Sequence, residues 1–184
     1  MAEEEKATMQ KMSNITDDNV IDVYNDIAGS YETSLLNADY KNPEVAVKAF
    51  LSKNFPKDIE ILDLACGTGI VGEILKKEGY ENIAGLDGSE LMLKKAEEKT
   101  SYKKLIQGMI GNGTHPEDQA NKFDAVIATG MFSKGHVKPE GADDIIQALK
   151  SGGYAFFSVR DDYVESLGYM AKFKELEEAG KWKF

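Results

Sequence analysis

Apolar residues near the start of the chain recur at helical spacing. Val20, Val23, Tyr24 and Ile27 repeat every three to four residues, Asp17 or Asp18 can cap the run, and Gly29 closes it. Asn42-Pro43 sets a cap and a first-turn proline, and Val45, Val47, Phe50 and Leu51 give a second helix its apolar stripe. The pattern changes at Ile59-Glu60-Ile61-Leu62-Asp63-Leu64, a short apolar run that ends in small residues and glycine and predicts a buried strand. From there strand and helix signals alternate. Residues 70–77 predict a helix, 82–86 a strand, 89–99 a helix capped by Ser89, and 104–107 a short strand. A loop rich in Gly, Asn, Asp and Pro over 108–121 precedes a strand at 123–128. A helix at 139–150, a strand at 153–159 and one long helix at 163–179 follow, and 182–184 opens a further strand.

Five strands alternating with helices predict an α/β fold with a doubly wound, mainly parallel, Rossmann-like sheet. Right-handed crossovers bring the strand C-termini to one edge, where ligands bind at the switch point. The division expected is a disordered acidic arm over 1–16, a helical lid over 17–57, and a single α/β core over 58–184.

Composition narrows the function. The 184 residues suit one domain, and 22 Lys and Arg against 32 Asp and Glu leave a net charge of −10. That field repels nucleic acid and anionic lipid, so neither is expected as a partner. One cysteine, Cys66, excludes an internal disulfide framework, and with only two histidines a closed zinc site is not expected. The sequence has no apolar run long enough to span a membrane, and its first six residues are acidic where a targeting peptide would be basic. A cytoplasmic monomer is expected.

The strongest chemical signal is Asp63-Leu64-Ala65-Cys66-Gly67-Thr68-Gly69. An acid at a strand end leads through small residues into a helix N-terminus, which lets a ligand approach the backbone and offers it free N–H donors. Asp87 ends the next strand, 20 residues beyond Gly67, where a carboxylate can accept both hydroxyls of a ribose. The string Gly67-Thr68-Gly69-Ile70-Val71-Gly72 spells G-x-G-x-x-G and admits an NAD-binding oxidoreductase as the alternative. Asp63 disfavours it, because its charge falls where a pyrophosphate would lie and suits an ammonium and a sulfonium instead. Two helices also precede the first strand, and there is no room for a substrate domain.

Residues 20–183 resemble the class I S-adenosylmethionine-dependent methyltransferases. The likeness rests on Tyr24 to Glu32, Ile61 to Gly69, Gly85 to Leu93, Phe123-Asp124-Ala125-Val126 and Leu149 to Gly153. Asp87-Gly88-Ser89, Gly135-His136-Val137 and Glu178 to Trp182 further resemble the Williams–Beuren-region methyltransferase-like proteins. The resemblance implies S-adenosylmethionine as cofactor. It implies that Asp63 holds the methionine amino group, directly or through water, with Ala65, Gly67 and Gly69 along the methionine moiety and Cys66 among the cofactor-binding residues. It implies Asp87 on the ribose, Gly88 and Met92 beside the adenine, and Thr129 facing the sulfonium. Many relatives carry an acid after the third strand; Met109, followed by Ile110, stands there, so packing and backbone would hold the adenine. The family's closing antiparallel hairpin would begin where this sequence reaches Phe184, so that hairpin is expected to be missing or incomplete.

Three residues are candidates at the acceptor. His136 would assist deprotonation, Tyr31 would cover the cofactor, and Arg160 would orient an acidic group. Each has a plainer reading: a loop histidine capping the next helix, a core aromatic, and an ion pair with Asp161 or Asp162. Cys66 reads as a small buried filler and not as a nucleophile. After the fourth strand, Ala128-Thr129-Gly130-Met131-Phe132 lacks the Asn-Pro-Pro-aromatic pattern used on nucleic-acid bases. A small molecule or a protein side chain is the acceptor expected; a non-catalytic methyltransferase-like scaffold is the other alternative.

Overall fold

The computed structural model describes residues 3–111 and 119–183, so residues 112–118 of the 108–121 loop and residue 184 of the last predicted strand lie outside the described residues. Five strands, β1 (Ile61–Leu64), β2 (Ile83–Asp87), β3 (Lys104–Gln107), β4 (Phe123–Phe132) and β5 (Leu149–Val159), form one sheet in the order β3-β2-β1-β4-β5. Every neighbouring pair is parallel. Successive β1 residues point to opposite faces and all four are buried, which explains the unbroken apolar run of a central parallel strand.

Helices cover both faces. Ile61, Ile83, Ala125 and Ile127 pack against Val47 and Phe50 of α4 (Asn42–Leu51) and Val71 and Leu75 of α5 (Ile70–Lys77). Leu62, Leu86, Val126 and Ala128 face Ile145 of α7 (Gly141–Ala148) and Tyr169, Phe173 and Leu176 of α9 (Tyr169–Glu178). The remaining core helix, α6 (Glu90–Glu98), is capped by Ser89, whose Oγ accepts from Met92 N at 3.1 Å.

The polar segment expected to be a disordered arm instead carries α1 (Glu3–Ser13). Tertiary contacts hold it: Thr8 is buried with its Oγ1 2.7 Å from Ser30 Oγ, and Met12 packs with Ile27, Ala28 and Met92. Next come α2 (Val20–Ile27) and α3 (Tyr31–Asn37), the latter too short to show a period. The single long helix predicted near the end is two, α8 (Asp161–Ser166) and α9, divided at Gly168 with φ 80°. Among the described residues the segment after α9 adds no strand; Trp182 stacks on Phe157 and donates to the Phe173 carbonyl. No helix among the described residues is long and apolar enough to cross a membrane.

β4 runs past the predicted end at Ala128. Between the Ala128–Phe157 and Phe132–Val159 pairings, β4 advances four residues while β5 advances two. The bulge falls on Thr129, Gly130 and Met131 and places Thr129 beside the ends of β1 and β2.

Candidate functional site

The C-terminal ends of β1, β2 and β4 meet at the point where strand order reverses, and a cavity of about 240 Å³ opens there. After β1 the chain turns sharply. Ala65 has φ 60° and Gly67 φ 53°, and a non-glycine residue in that region costs on the order of 1–3 kcal/mol. The turn is fixed from β2: Asp87 Oδ2 accepts from Gly67 N at 2.9 Å, and Asp87 Oδ1 accepts from Ser89 N at 2.8 Å. Burial pushes the Asp87 carboxyl above its ordinary value, while the two backbone donors oppose that shift.

Asp63 is fully buried behind the turn and lines no cavity among those at the site. Its Oδ2 accepts from Tyr102 Oη at 2.6 Å, and its Oδ1 has no hydrogen-bond partner among the described residues. Desolvation, with the nearby charge of Asp87, lifts its pKa from 3.8 to about 7, against the opposing pull of the Tyr102 bond. Space for Tyr102 comes from Gly72, where a Cβ would stand 2.3 Å from the phenol ring.

Ala65, Gly67, Asp87, Gly88, Met92, Met109, Ile110, Thr129, Tyr31 and His136 all line the main cavity. Besides Asp63, which is buried behind the turn, three of the sequence-derived residues stand elsewhere. Gly69 caps α5 with φ 88° and faces Ala96 and the Tyr102 ring, so it serves helix packing. Cys66 is buried beside a smaller cavity, and desolvation raises its thiol pKa well above the ordinary value, which makes it inert. Arg160 is 65% exposed and grips Asp162 through two bonds of 2.9 Å, so the ion-pair reading holds and it does not reach the cavity.

The smaller cavity adjoins the main one. Tyr31, Ala65, Gly67 and Thr129 line both and form the partition. Thr68 lines the smaller one, and its Oγ1 is buried with no partner among the described residues.

The outer wall comes from the N-terminal helices. Val20, Ile21 and Tyr24 of α2 line the cavity, and Ile21 approaches Gly88 so closely that a Cβ there would stand 2.5 Å from Ile21 Cδ1. Tyr24 Oη lies 2.8 Å from His136 Nε2. Asp17 and Lys138 pair at 2.8 Å. Asn25 Oδ1 accepts from Ser89 Oγ at 2.7 Å and from Leu91 N at 3.2 Å, which fastens α2 to the start of α6. Ile21 and Tyr102 are site residues outside the motifs, while Tyr24 and Thr68 lie inside them without an assigned role; the helical spacing of Tyr24 fits a core position equally well.

Residues 38–184 match a family described as methyltransferase domain. Methyltransferase-like protein 27 of Homo sapiens is 32% identical over 167 residues, which cover 87% of this chain and 66% of that protein. The 18S rRNA (guanine(1575)-N(7))-methyltransferase of Saccharomyces cerevisiae is 27% identical over 166 residues, 81% of this chain and 58% of that one. The chain thus spans two thirds or less of the length of these curated relatives. Among solved structures, a TehB-like SAM-dependent methyltransferase from Corynebacterium glutamicum superposes with a TM-score of 0.55 at 19% identity, covering 79% of this chain and 82% of that one, a likeness of fold.

Proposed function

Since the chain belongs to the methyltransferase-domain family, we propose that it transfers the methyl group of S-adenosylmethionine to a small molecule or a protein side chain. The observation that carries the cofactor is Asp87. Its carboxylate stands at a strand end on the cavity wall, directly beside the apolar slot formed by Ile21, Gly88, Met92, Met109 and Ile110. A two-oxygen acceptor next to a narrow apolar slot suits a ribose with its flat base.

The rest of the site fits the same molecule. Asp87 would accept the ribose hydroxyls, and the slot would take the adenine without an acidic partner. Thr68 Oγ1 and Asp63 Oδ1, both buried and unpartnered among the described residues, suit an ammonium end. Thr129 and Tyr31, on the partition between the cavities, would flank the sulfonium. When bound, the cofactor supplies a methyl group already activated by positive sulfur. The protein then has to hold the acceptor in line with it, exclude water and dispose of any proton. Residues 17–57 act as the lid in this reading, with α2 closing the outer wall.

The dinucleotide alternative is not favoured, because the buried carboxylate of Asp63 lies behind the loop that would face a pyrophosphate. Calorimetric titration with S-adenosylmethionine, S-adenosylhomocysteine and NAD tests the reading. Both sulfur ligands should bind and NAD should not; binding of NAD alone would overturn it. Transfer of a labelled methyl group to any acceptor separates an enzyme from a scaffold.

A further inference from the structure

Tyr24 on α2 and His136 in the loop between β4 and α7 are 112 residues apart, yet Tyr24 Oη and His136 Nε2 meet at 2.8 Å. The other ring nitrogen, Nδ1, is 2.8 Å from the carbonyl oxygen of Lys134. A carbonyl oxygen only accepts, so Nδ1 carries the ring proton. In the neutral imidazole Nε2 is then the acceptor, and the phenol O–H donates to it. The rings stand edge to face with centroids 5.7 Å apart, and both residues line the main cavity with Thr129 and Tyr31. The phenol oxygen, having committed its proton, keeps lone pairs that no described residue occupies.

Resting on the methyltransferase reading, we propose that Tyr24 is the catalytic residue that takes the acceptor's proton, that His136 acts through it, and that the acceptor is therefore a nucleophile whose attacking atom bears a proton: a phenol or a thiol. The step balances. The nucleophile's electron pair forms the new bond to the methyl carbon, and the carbon–sulfur pair returns to sulfur. The acceptor's proton passes to Tyr24 Oη as the phenol's own proton passes to His136 Nε2. The imidazolium, still donating Nδ1–H to Lys134, then releases one proton to solvent.

The surroundings suit a relay. Burial holds the His136 pKa below 6.5, so Nε2 keeps its lone pair at neutral pH. Burial first, and then the charge of Asp87, push the Tyr24 phenol well above its ordinary value. A phenolate is disfavoured there, and the proton must pass straight on to the imidazole. The other groups that face the pair are Tyr31 and Tyr40, which are neutral, and the Asp17–Lys138 ion pair, whose charges cancel.

Tyr24→Phe keeps the ring and removes the relay. Calorimetry with S-adenosylhomocysteine should give wild-type affinity within a factor of about three, because the hydroxyl faces His136 and not the Asp87 slot. Nitrogen-15 NMR of the wild type should show His136 neutral and protonated on Nδ1 at pH 7. In Tyr24→Phe its pKa should rise by roughly half a unit or more, because a donor to the unprotonated nitrogen is gone. Methyl transfer to phenol, 4-methylphenol and butanethiol, all still protonated at pH 7, should fall about a hundredfold or more, the size of a lost general base. Transfer to pyridine, which has no proton to lose, should fall at least tenfold less than transfer to those three. His136→Gln should reproduce the split between the two kinds of probe. A His136 protonated on Nε2, an equal loss on pyridine, or a wild type that binds S-adenosylhomocysteine yet methylates none of the three proton-bearing probes would overturn the relay. Failure of the wild type to bind S-adenosylhomocysteine would instead sink the reading on which the relay rests.

Discussion

The backbone N–H of Gly67 donates to Asp87 Oδ2 at 2.9 Å, so the turn after β1 is pinned to the last residue of β2. One carboxylate thereby shapes the wall of the cavity and remains its main anionic acceptor. Asp87→Ala should therefore damage two things at once. Gly67 N and Ser89 N lose their partners, at about 1–3 kcal/mol for each buried donor left unmade. That should lower the melting temperature by several degrees, at about 2–4 °C per kcal/mol for a chain of this length. Affinity for S-adenosylhomocysteine should fall at least tenfold, since a hydrogen bond to a charged group contributes about 1.5–3 kcal/mol. Scanning calorimetry and titration check both; a melting loss with affinity intact would make Asp87 purely structural.

What the sequence discloses and what it hides divide along sequence separation. The run from Asp63 to Gly69, Asp87 at its strand end and the Ser89 cap are local patterns, and each lies where its spacing places it. The partners of those residues are not local. Tyr102 reaches Asp63 from 39 residues away, Tyr24 reaches His136 across 112, and Thr8 holds α1 through Ser30. Arg160 shows the converse: its strand-end position suggested the cleft, yet Asp162, two residues on, captures it with both arms. The break falls at Gly168, whose φ of 80° ends one helix and caps the next; α8 has no buried residue, while α9 buries Tyr169, Phe173 and Leu176.

The protonation of Asp63 gives a pH signature. Its pKa is about 7 when folded, against 3.8 for an ordinary carboxylate. Between those values the folded chain holds a proton that the unfolded chain has released, so this group's contribution to stability falls as pH rises from about 4 to 7. A shift of this size is worth on the order of a few kcal/mol. Asp63→Asn still accepts from Tyr102 and carries no charge, so its melting temperature relative to wild type should climb from pH 5 to pH 8. Affinity for S-adenosylhomocysteine should show the reverse, rising through pH 7 in the wild type and staying low and flat in the variant. Parallel melting curves would mean that Asp63 is ionised throughout.

Gly72 tests the support behind that carboxylate. A Cβ at this position would lie 2.3 Å from the Tyr102 ring and 2.5 Å from its hydroxyl, and Gly72 N donates to the same oxygen at 3.3 Å. Alanine favours helices over glycine, so on propensity alone Gly72→Ala would stabilise α5. The clash should reverse that sign and destabilise the protein by about 1–3 kcal/mol, the usual cost of overpacking. Denaturant melts should show the loss, and it should shrink in Gly72→Ala combined with Tyr102→Ala. An additive pair would show that the two residues are not coupled.

Tyr31 tests the path of entry. Its ring lies against Gly67, 4.0 Å from where a Cβ would stand, and separates the 240 Å³ cavity from the smaller one that holds Thr68. A ligand with its nucleoside in the first space and its amino-acid end in the second has to displace that ring. Tyr31 begins α3, whose next residue, Glu32, pairs with Lys99 at 2.8 Å, while Lys99 also holds Glu73 of α5 at 3.0 Å. Lys99 thus ties the start of α3 to α5 through two ion pairs. Tyr31→Ala should speed association of S-adenosylhomocysteine, because no ring has to move, and should speed dissociation more, because nothing covers the bound molecule. Affinity should drop about tenfold through the off-rate. Lys99→Met should act in the same direction and more weakly, since it loosens α3 without removing the ring. Surface plasmon resonance resolves both rate constants, and unchanged rates in Tyr31→Ala would show that the ring lies off the path of entry.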